Sequence, residues 1–500
     1  MKEMQSRIIE YGEKLDQFSK NNDYENLHKC LEEIELFAQQ NSQTGYDVAL
    51  NYYLGTGYGN YSDYLIRSGR KSTESEVRKA YKKSMYHYRK ALSGYDNSKI
   101  VYDGLDIRIL TNYANELDEV GRVIEALRIY RKVLKMDEKF SIARGNYGRA
   151  LRFLANMVND EGHRVDLHCY AYQALKTAVA IKDKDLHEQA IQGFNRMIAE
   201  YESMSCRNIV EQAIEYKEYS LGEKEEAGYR RWCLKNHLFL NPLNEVIEIE
   251  SAFAYDPLNI TKYTGSQDYT DSVSENSAEP PRWFAMINQL KEEYVYSRYL
   301  CYEGMEKAEK VHFADKDVKL LLGSYDYCNY SIRIEQLKSA FKNLYAMFDQ
   351  IGYFVNDFWR LGANDRTATV RYVYNSNKYP KDNIALGALY WVFSEFIEKY
   401  GDTEISWKKH FYTFRNAMEH KFIKVHKYEW NRSPQLECDK FYHISEEKLK
   451  KNAMRLLELA REALMYLVYA VEDDEQSKEK AIETIKVPMH IAEYPDEWKL

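Results

Sequence analysis

Apolar residues recur along this chain mainly at the three- and four-residue spacing of an amphipathic helix. The clearest example lies in the second half, where one predicted helix face carries Leu337, Phe341, Leu344, Phe348, Ile351 and Val355. Strand-like alternation of apolar and polar residues is brief and falls between Thr369 and Tyr374. We therefore predict an all-α protein, with second-half helices that form a bundle at 283–310, 331–361, 383–400, 405–427 and 445–472.

The helical pattern of the first half contains a repeat. In segment 110–140 two helices flank Gly121, and apolar residues fall at packing positions Tyr113, Ala114, Leu117, Ala126, Tyr130 and Val133. Thirty-four residues after its first appearance, the first helix recurs at Tyr147, Gly148 and Leu151. Degenerate versions follow the same spacing at 54–58 with 88–92 and at 170–183. This pattern resembles the tetratricopeptide repeat (TPR), whose unit is a helical hairpin.

The resemblance implies a TPR-like helical solenoid, in which each unit buries one face on its neighbours and leaves another face available. Such a face would suit a protein or peptide trigger. An alternative is that the rest of the same chain covers it. The sequence leaves both interpretations open.

All eight prolines lie at or beyond Pro242, so the first 241 residues contain none. Because helix interiors exclude proline, this favours a first half built of helices throughout. Segment 255–281, rich in Ser, Thr, Asp and Tyr, is predicted to be a polar loop. We predict a TPR-like repeat domain at 1–220, a connecting segment containing that loop at 221–282, a helical bundle at 283–475 and a tail at 476–500.

The connecting segment includes a stretch, 229–245, in which basic residues flank Trp232 and Phe239. Basic groups interleaved with aromatic rings can hold a nucleic-acid strand by phosphate contact and base stacking. The alternative, which we favour, is an amphipathic segment that packs Trp232 and its leucines between domains.

Charge and cysteine usage narrow the class of protein. A net charge of −8 excludes a chain that coats nucleic acid through its overall field, although a local basic site is compatible with it. The seven cysteines are widely spaced and form no CxxC pair, so we expect buried, reduced thiols and no metal site.

The longest apolar run is too short to cross a bilayer and the N-terminus lacks a signal-peptide pattern. We expect a cytoplasmic protein without membrane contact.

The predicted helix 405–427 differs chemically from the others. Its core face carries an apolar stripe of Phe411, Phe414, Met418, Phe422 and Val425. Between Lys408 and Lys427 the remaining residues include six Lys or Arg, three His and a single acid, Glu419. In an acidic protein this is a local positive site, suited to a phosphodiester.

Within this helix Arg415 and Asn416 are followed by His420, five positions after the arginine. The spacing resembles the Arg-x4-His motif of the HEPN superfamily of helical-bundle ribonucleases, and the resemblance extends over about residues 225–470. It implies that 283–475 is a HEPN-like bundle that cleaves RNA without cofactor or metal and leaves 2′,3′-cyclic phosphate ends. It also implies catalytic Arg415, Asn416 and His420, a homodimer, and a role in bacterial antiviral defence or a toxin system. Tyr412, Lys421 and Lys424 are candidate RNA contacts. Three polar residues of the predicted helix 331–361 are further candidates for groups that line the cleft: Glu335, Lys338 and Asp349.

The residue types suit that chemistry. A histidine can take or deliver a proton near neutral pH, and a planar guanidinium can hold and stabilise a phosphate. On one ideal helix, however, Arg415 and His420 point about 140° apart at 100° per residue. Arg415 and Glu419 are four residues apart and could instead form a helix salt bridge. The alternative function is therefore a non-catalytic TPR adaptor that uses the HEPN-like bundle for dimerisation.

Overall fold

Sixteen α-helices and one two-stranded sheet make up the part of the chain that a computed structural model describes. The described residues are 2–41, 46–67, 74–95, 104–181, 187–203, 216–246, 251–261, 282–306, 311–317, 328–364, 366–376, 378–397, 407–428 and 440–481. The first nine helices are α1 (Lys2–Lys20), α2 (Tyr24–Gln40), α3 (Asp47–Arg67), α4 (Glu74–Gly94), α5 (Leu105–Glu119), α6 (Val123–Met136), α7 (Ser141–Met157), α8 (Glu161–Ala180) and α9 (Glu188–Ser203).

The other elements are α10 (Lys224–Lys235), α11 (Arg282–Glu306), α12 (Ile332–Phe358), α13 (Val370–Ser376), α14 (Ile384–Ile397), α15 (Trp407–His420), β1 (Phe422–His426), β2 (Phe441–Ser445) and α16 (Glu446–Ala481). The predicted all-α class is confirmed. The brief strand-like alternation at 369–374 falls at the start of the short helix α13. Helix α16 continues past residue 475, and most of the predicted loop and tail lie outside the described residues.

Helices α3 to α8 form hairpins of sequential neighbours. The link between α5 and α6 spans three residues and contains Gly121, whose positive φ of 83° is a conformation that glycine adopts readily. Each packing position predicted within 110–140 is buried. The helical hairpins therefore agree with the predicted arrangement of the first half.

Two glycines show how closely paired helices approach. A Cβ at Gly55 of α3 would lie 2.8 Å from the ring of Tyr88 in α4. A Cβ at Gly148 of α7 would lie 2.9 Å from Leu175 Cγ and 3.0 Å from the Ala171 carbonyl oxygen in α8. Because real Cβ atoms essentially never come nearer than 3.0 Å, a side chain at Gly55 or Gly148 would push its helix pair apart.

Helix α12 lies at the centre of the C-terminal bundle, against α11 and α16. Its predicted apolar face is buried throughout, from Leu337 to Val355. Helix α16 contributes a second buried face between Leu449 and Val471. The core of the bundle is therefore built on the apolar periodicity that the sequence shows.

The connecting stretch 229–245 packs between the two halves. Trp232 and Phe239 are buried, and the Trp232 ring lies 5.6 Å from that of Tyr302 in α11. Glu245, fully buried, accepts hydrogen bonds from Arg461 of α16 and from Arg128 of α6. The interdomain-packing interpretation is correct, because rings buried in this way cannot stack on nucleic-acid bases.

A buried group of charges joins the repeat helices to the bundle. This interdomain ion cluster consists of Arg89, Arg122, Glu125, Glu395, Arg455 and Glu462. Arg122, in the turn before α6, donates from Nη1 to Glu395 Oε1 at 2.7 Å and from Nη2 to Glu462 Oε2 at 2.8 Å. Burial opposes ionisation of Glu395, but the guanidinium groups of Arg89 and Arg122 outweigh it and lower the pKa of its carboxyl to about 2.

The ion cluster shows that the C-terminal bundle packs against part of the repeat domain. Arg89 of α4 and Arg122 in the α5–α6 turn contact α14 and α16 of the bundle. The Tyr466 hydroxyl of α16 accepts a hydrogen bond from the backbone N–H of Ile124 at 3.0 Å. The same chain therefore covers this part of the repeat helices.

Most of the described cysteines are buried, as the sequence predicts. Cys30, Cys169, Cys233 and Cys301 are buried, whereas Cys328 is half-buried. Cys206 and Cys438 lie outside the described residues. In the described part of the chain, we find no helix with the length and apolar character needed to span a membrane.

Candidate functional site

Helix α15 carries the candidate catalytic residues on its outward side. Its inward side is anchored by Phe411 and Phe414, which are fully buried and meet the ring of Phe341 edge-on at 5.8 and 4.9 Å. Phe411 also contacts Phe396 of α14 at 5.6 Å. These contacts fix the rotation of α15 and leave its polar residues facing outward.

Arg415 lies in a polar group formed mostly by its own helix. Its Nη1 is 2.9 Å from Glu419 Oε2 and donates to Asn416 Oδ1 at 3.1 Å. The guanidinium carbon also lies 5.9 Å from the centre of the Tyr345 ring on α12. The side chain remains 39% exposed, so a phosphate can reach it from solvent.

His420 is the last residue of α15, and its side chain is 75% exposed. Its Nε2 lies 3.9 Å from the same Glu419 Oε2 that pairs with Arg415. On an ideal helix the side chains of Arg415 and His420 would point apart. In the structure both side chains lie near the same carboxylate oxygen of Glu419.

Helices α12 and α13 add charged groups beside Arg415. Burial raises the pKa of Asp349, while its bond from the Val370 N–H and the charges of Arg415 and Arg371 act in the opposite direction. Asp349 and Arg371 therefore share the electrostatic environment of Arg415. The sequence suggested Asp349 as a cleft residue but gave no signal for Tyr345 or Arg371, because their proximity depends on helix packing.

Two other residues suggested for the cleft pair with each other. Lys338 Nζ donates to Glu335 Oε1 at 2.6 Å, and both are on the first turns of α12. They lie about three to four turns of helix before Asp349, which separates them from the group around Arg415.

The prediction that the helix runs to residue 427 is wrong. Helix α15 ends at His420, and residues 422–426 form β1, which pairs in parallel with β2. The run Phe-Ile-Lys-Val-His has high strand propensity, and the backbone N–H of Phe422 donates to the Lys440 carbonyl at 2.9 Å. The partner strand thus supplies hydrogen bonds that a longer helix would have to make internally.

The predicted RNA-contact and stripe residues lie on α15 and on β1. Tyr412 and Lys421 are exposed, as contact with RNA requires. Lys424 lies on β1, and its Nζ is 4.3 Å from the centre of the Phe441 ring. Phe422, assigned to the apolar stripe, is instead 70% exposed. His426 is buried, with Nε2 2.8 Å from His443 Nδ1, so it is not part of the exposed positive surface.

A separate cavity of about 460 Å³ lies between the repeat helices and the bundle. Its walls include Arg78 of α4, Phe153 of α7, Trp391 of α14 and Lys381. Residues of α15 are absent from its described lining. The cavity is therefore distinct from the Arg415 and His420 site.

The bundle and its polar helix define the C-terminal part as a helical domain with one small two-stranded sheet and an exposed Arg-x4-His pair. Residues 274–474 match the family model described as LA2681-like HEPN. The match supports a C-terminal HEPN-superfamily domain and covers about two fifths of the chain. No curated protein and no solved structure matched the chain.

Proposed function

We propose that this protein is a metal-independent endoribonuclease of the HEPN type, with His420 and Arg415 as catalytic residues and Asn416 as their orienting partner. The observation that carries the proposal is the exposed polar group on α15, where Arg415 and His420 approach one carboxylate within the HEPN-matching region. At a coarser level, HEPN domains generally include ribonucleases.

The proposed reaction uses only proton transfer and charge stabilisation. The ribose 2′-oxygen attacks the adjacent phosphorus, forming a new P–O2′ bond and breaking the P–O5′ bond. A base accepts the 2′-hydroxyl proton and an acid protonates the departing 5′-oxygen, which are roles an imidazole can fill. Arg415 holds the non-bridging oxygens as negative charge increases on them. The products are a 2′,3′-cyclic phosphate and a 5′-hydroxyl.

The ion pair between Arg415 and Glu419 must open or be shared when RNA binds. Exposed pairs of this kind contribute at most about 1 kcal/mol, so a phosphate can replace the carboxylate without large cost. Tyr412 supplies an exposed ring on the same helix, and Lys421 and Lys424 supply two further cations just beyond its end. We propose them as RNA contacts.

We further propose that the protein acts as a homodimer through the HEPN-like bundle. One chain brings Arg415 and His420 to a shared carboxylate but leaves His420 mostly in solvent. A second α15 placed alongside would enclose the scissile phosphate between two such pairs. Light scattering that shows a monomer with full activity would rule out this arrangement.

Regulation by the TPR-like domain is supported by a continuous line of contacts. Arg89 and Arg122 of the repeat helices hold Glu395 on α14. The next residue, Phe396, packs on Phe411 of α15. A trigger that shifts the repeat helices would therefore act on the helix that carries Arg415. We propose antiviral defence or a toxin system as the setting, because an unrestrained ribonuclease harms its own cell.

The test is cleavage of single-stranded RNA by the full-length protein in EDTA. Cleavage that leaves cyclic phosphate ends, and that is lost in both Arg415→Ala and His420→Ala, is the expected result. Arg366→Ala and His28→Ala, which alter partly or fully exposed residues of the same types elsewhere, are controls expected to retain activity.

One observation favours the alternative of a non-catalytic adaptor. The Arg415–Glu419 ion pair at 2.9 Å is the helix salt bridge that a purely structural role would produce. Under that interpretation the bundle dimerises and the RNA is left intact. Dimers that form normally and fail to cleave RNA, with and without EDTA, would support the adaptor.

A further inference from the structure

The two-stranded sheet beyond α15 has one side that faces the core and another side that is exposed where β1 begins and buried at His426 where β1 ends. Val425 and Ile444 are register partners and are both buried in the core. Because side chains alternate along a strand, the partners Phe422 with Phe441 and Lys424 with His443 fall on the opposite side. We call these four residues the outer sheet face.

The outer sheet face presents an aromatic surface beside a cation. Phe422 is 70% exposed, and its ring centre lies 5.8 Å from that of Phe441. Lys424 Nζ lies 4.3 Å from the centre of the Phe441 ring. Exposed aromatic rings next to a cation are the elements on which single-stranded nucleic acids stack.

The charge around this face favours a polyanion over an apolar partner. Within the described residues 419–428 and 440–445 there are four lysines, at Lys421, Lys424, Lys427 and Lys440, and one acid, Glu419. An apolar protein or membrane surface would have to desolvate this group of like charges, whereas phosphates neutralise it.

The position of Phe422 relative to His420 sets which nucleotide it would meet. Phe422 follows His420 by two residues, so their Cα atoms are at most about 7 Å apart. Stacking on Phe422 therefore holds a base adjacent to a phosphate bound at Arg415 and His420.

We propose that the outer sheet face stacks the unpaired nucleobase next to the scissile phosphate, and that the substrate is consequently single-stranded RNA. The position of the base relative to the phosphate rests on the proposed function, whereas the stacking itself does not. A base in a duplex is stacked on its neighbours and would have to leave the helix to reach Phe422.

The experiment measures binding without cleavage. The full-length His420→Ala protein is titrated into a short single-stranded oligoribonucleotide that contains one 2-aminopurine, whose fluorescence falls when the base stacks. We expect quenching, and a Kd that rises about 5- to 160-fold when Phe422→Ala is added, because one stacking ring contributes about 1–3 kcal/mol. Phe422→Trp should retain affinity, whereas Phe422→Leu, apolar but not aromatic, should behave like Phe422→Ala.

Phe313→Ala is the matched control. Phe313 is 75% exposed in the same half of the chain and is expected to leave the Kd unchanged. The same oligonucleotide annealed to its complement should bind more weakly and without Phe422-dependent quenching. Circular dichroism should show equal folding, since truncating a mostly exposed ring removes few core contacts.

Two results would overturn the inference. One is an unchanged Kd and quenching in Phe422→Ala. The other is loss of the dimer in Phe422→Ala by light scattering while RNA affinity is retained, which would make the outer sheet face a contact between copies of the chain. Cleavage by a protein that binds RNA independently of Phe422 would refute only the stacking. Phe422-dependent binding without any cleavage would refute only the ribonuclease.

Discussion

Replacing Arg122 by methionine should weaken the attachment of the repeat helices to the bundle. The Arg122 side chain is 1% exposed and reaches Glu395 and Glu462 of the bundle from the turn before α6. Methionine has similar length but neither charge nor N–H donors. The substitution therefore removes one buried cation while leaving much of the packed volume filled.

The contacts of the remaining charges indicate the size of the effect. Glu395 keeps Arg89, whose Nη1 donates to Oε2 at 2.9 Å, and Glu125 keeps Arg455 at 2.8 Å. Glu462 loses the guanidinium within hydrogen-bonding distance of it. Burial already raises the pKa of Glu462, so uptake of a proton limits the loss. We expect the free energy of unfolding to fall by about 3 kcal/mol, the low end of the range of about 3–5 kcal/mol that follows removal of one partner of a buried ion pair.

The assay is thermal unfolding of the full-length protein followed by circular dichroism, together with hydrogen exchange of α6 and α14. A loss of about 3 kcal/mol would lower the unfolding midpoint by roughly 6–12 °C for a cooperative unit of about 150–250 residues, which is the size of either half of the chain. Arg67→Met is the control: the Arg67 side chain is 81% exposed and pairs with Asp63, so its replacement should change the free energy of unfolding by less than about 1 kcal/mol. Adding Glu462→Gln to Arg122→Met should restore part of the midpoint. If Arg122→Met and Arg67→Met unfold alike, the cluster does not hold the halves together.

Three further predictions concern single positions. Glu419→Gln should tighten RNA binding by at most about fivefold, because a carboxylate no longer competes for Arg415; unchanged or weaker binding in a titration would contradict this. Burial and nearby carboxylates raise the pKa of Glu116 to about 8, so its stabilising effect is complete below the ordinary carboxyl pKa and is lost as pH rises towards 8. Glu116→Gln should therefore gain stability relative to wild type between pH 5 and pH 9, and a pH-independent difference in unfolding midpoint would count against it. Gly148→Val should destabilise by about 1–3 kcal/mol through the clash with Leu175 and neighbouring backbone, and equal urea midpoints would show that α7 and α8 can separate.

Local patterns predicted much of the helical framework. Apolar spacing placed α12 and its buried face, and the repeat positions from Tyr113 to Val133 are buried in α5 and α6. These features are readable because a helix buries residues three and four apart, so each element carries its own signal. The Arg-x4-His spacing was equally local and led to the polar group on α15.

The errors concern residues whose partners are distant in the chain. The helix expected to reach 427 ends at His420 because β2 pairs with the following residues, and β2 begins nearly 20 residues later. That pairing turned Phe422 from a predicted core residue into an exposed one. Sequence periodicity cannot reveal a competing strand when the two strands are separated by a long connection.

Spacing within single elements was enough to predict the helical class, the repeat hairpins, the bundle and the candidate residues Arg415, Asn416 and His420. The docking of the repeat helices on α14 and α16, and the buried ion cluster that joins them, became visible only once the helices were packed together. The same holds for Glu419, which lies close to both candidate catalytic side chains. These features depend on which surfaces meet, and buried charges are stabilised by partners hundreds of residues away, as Arg122 and Glu462 are.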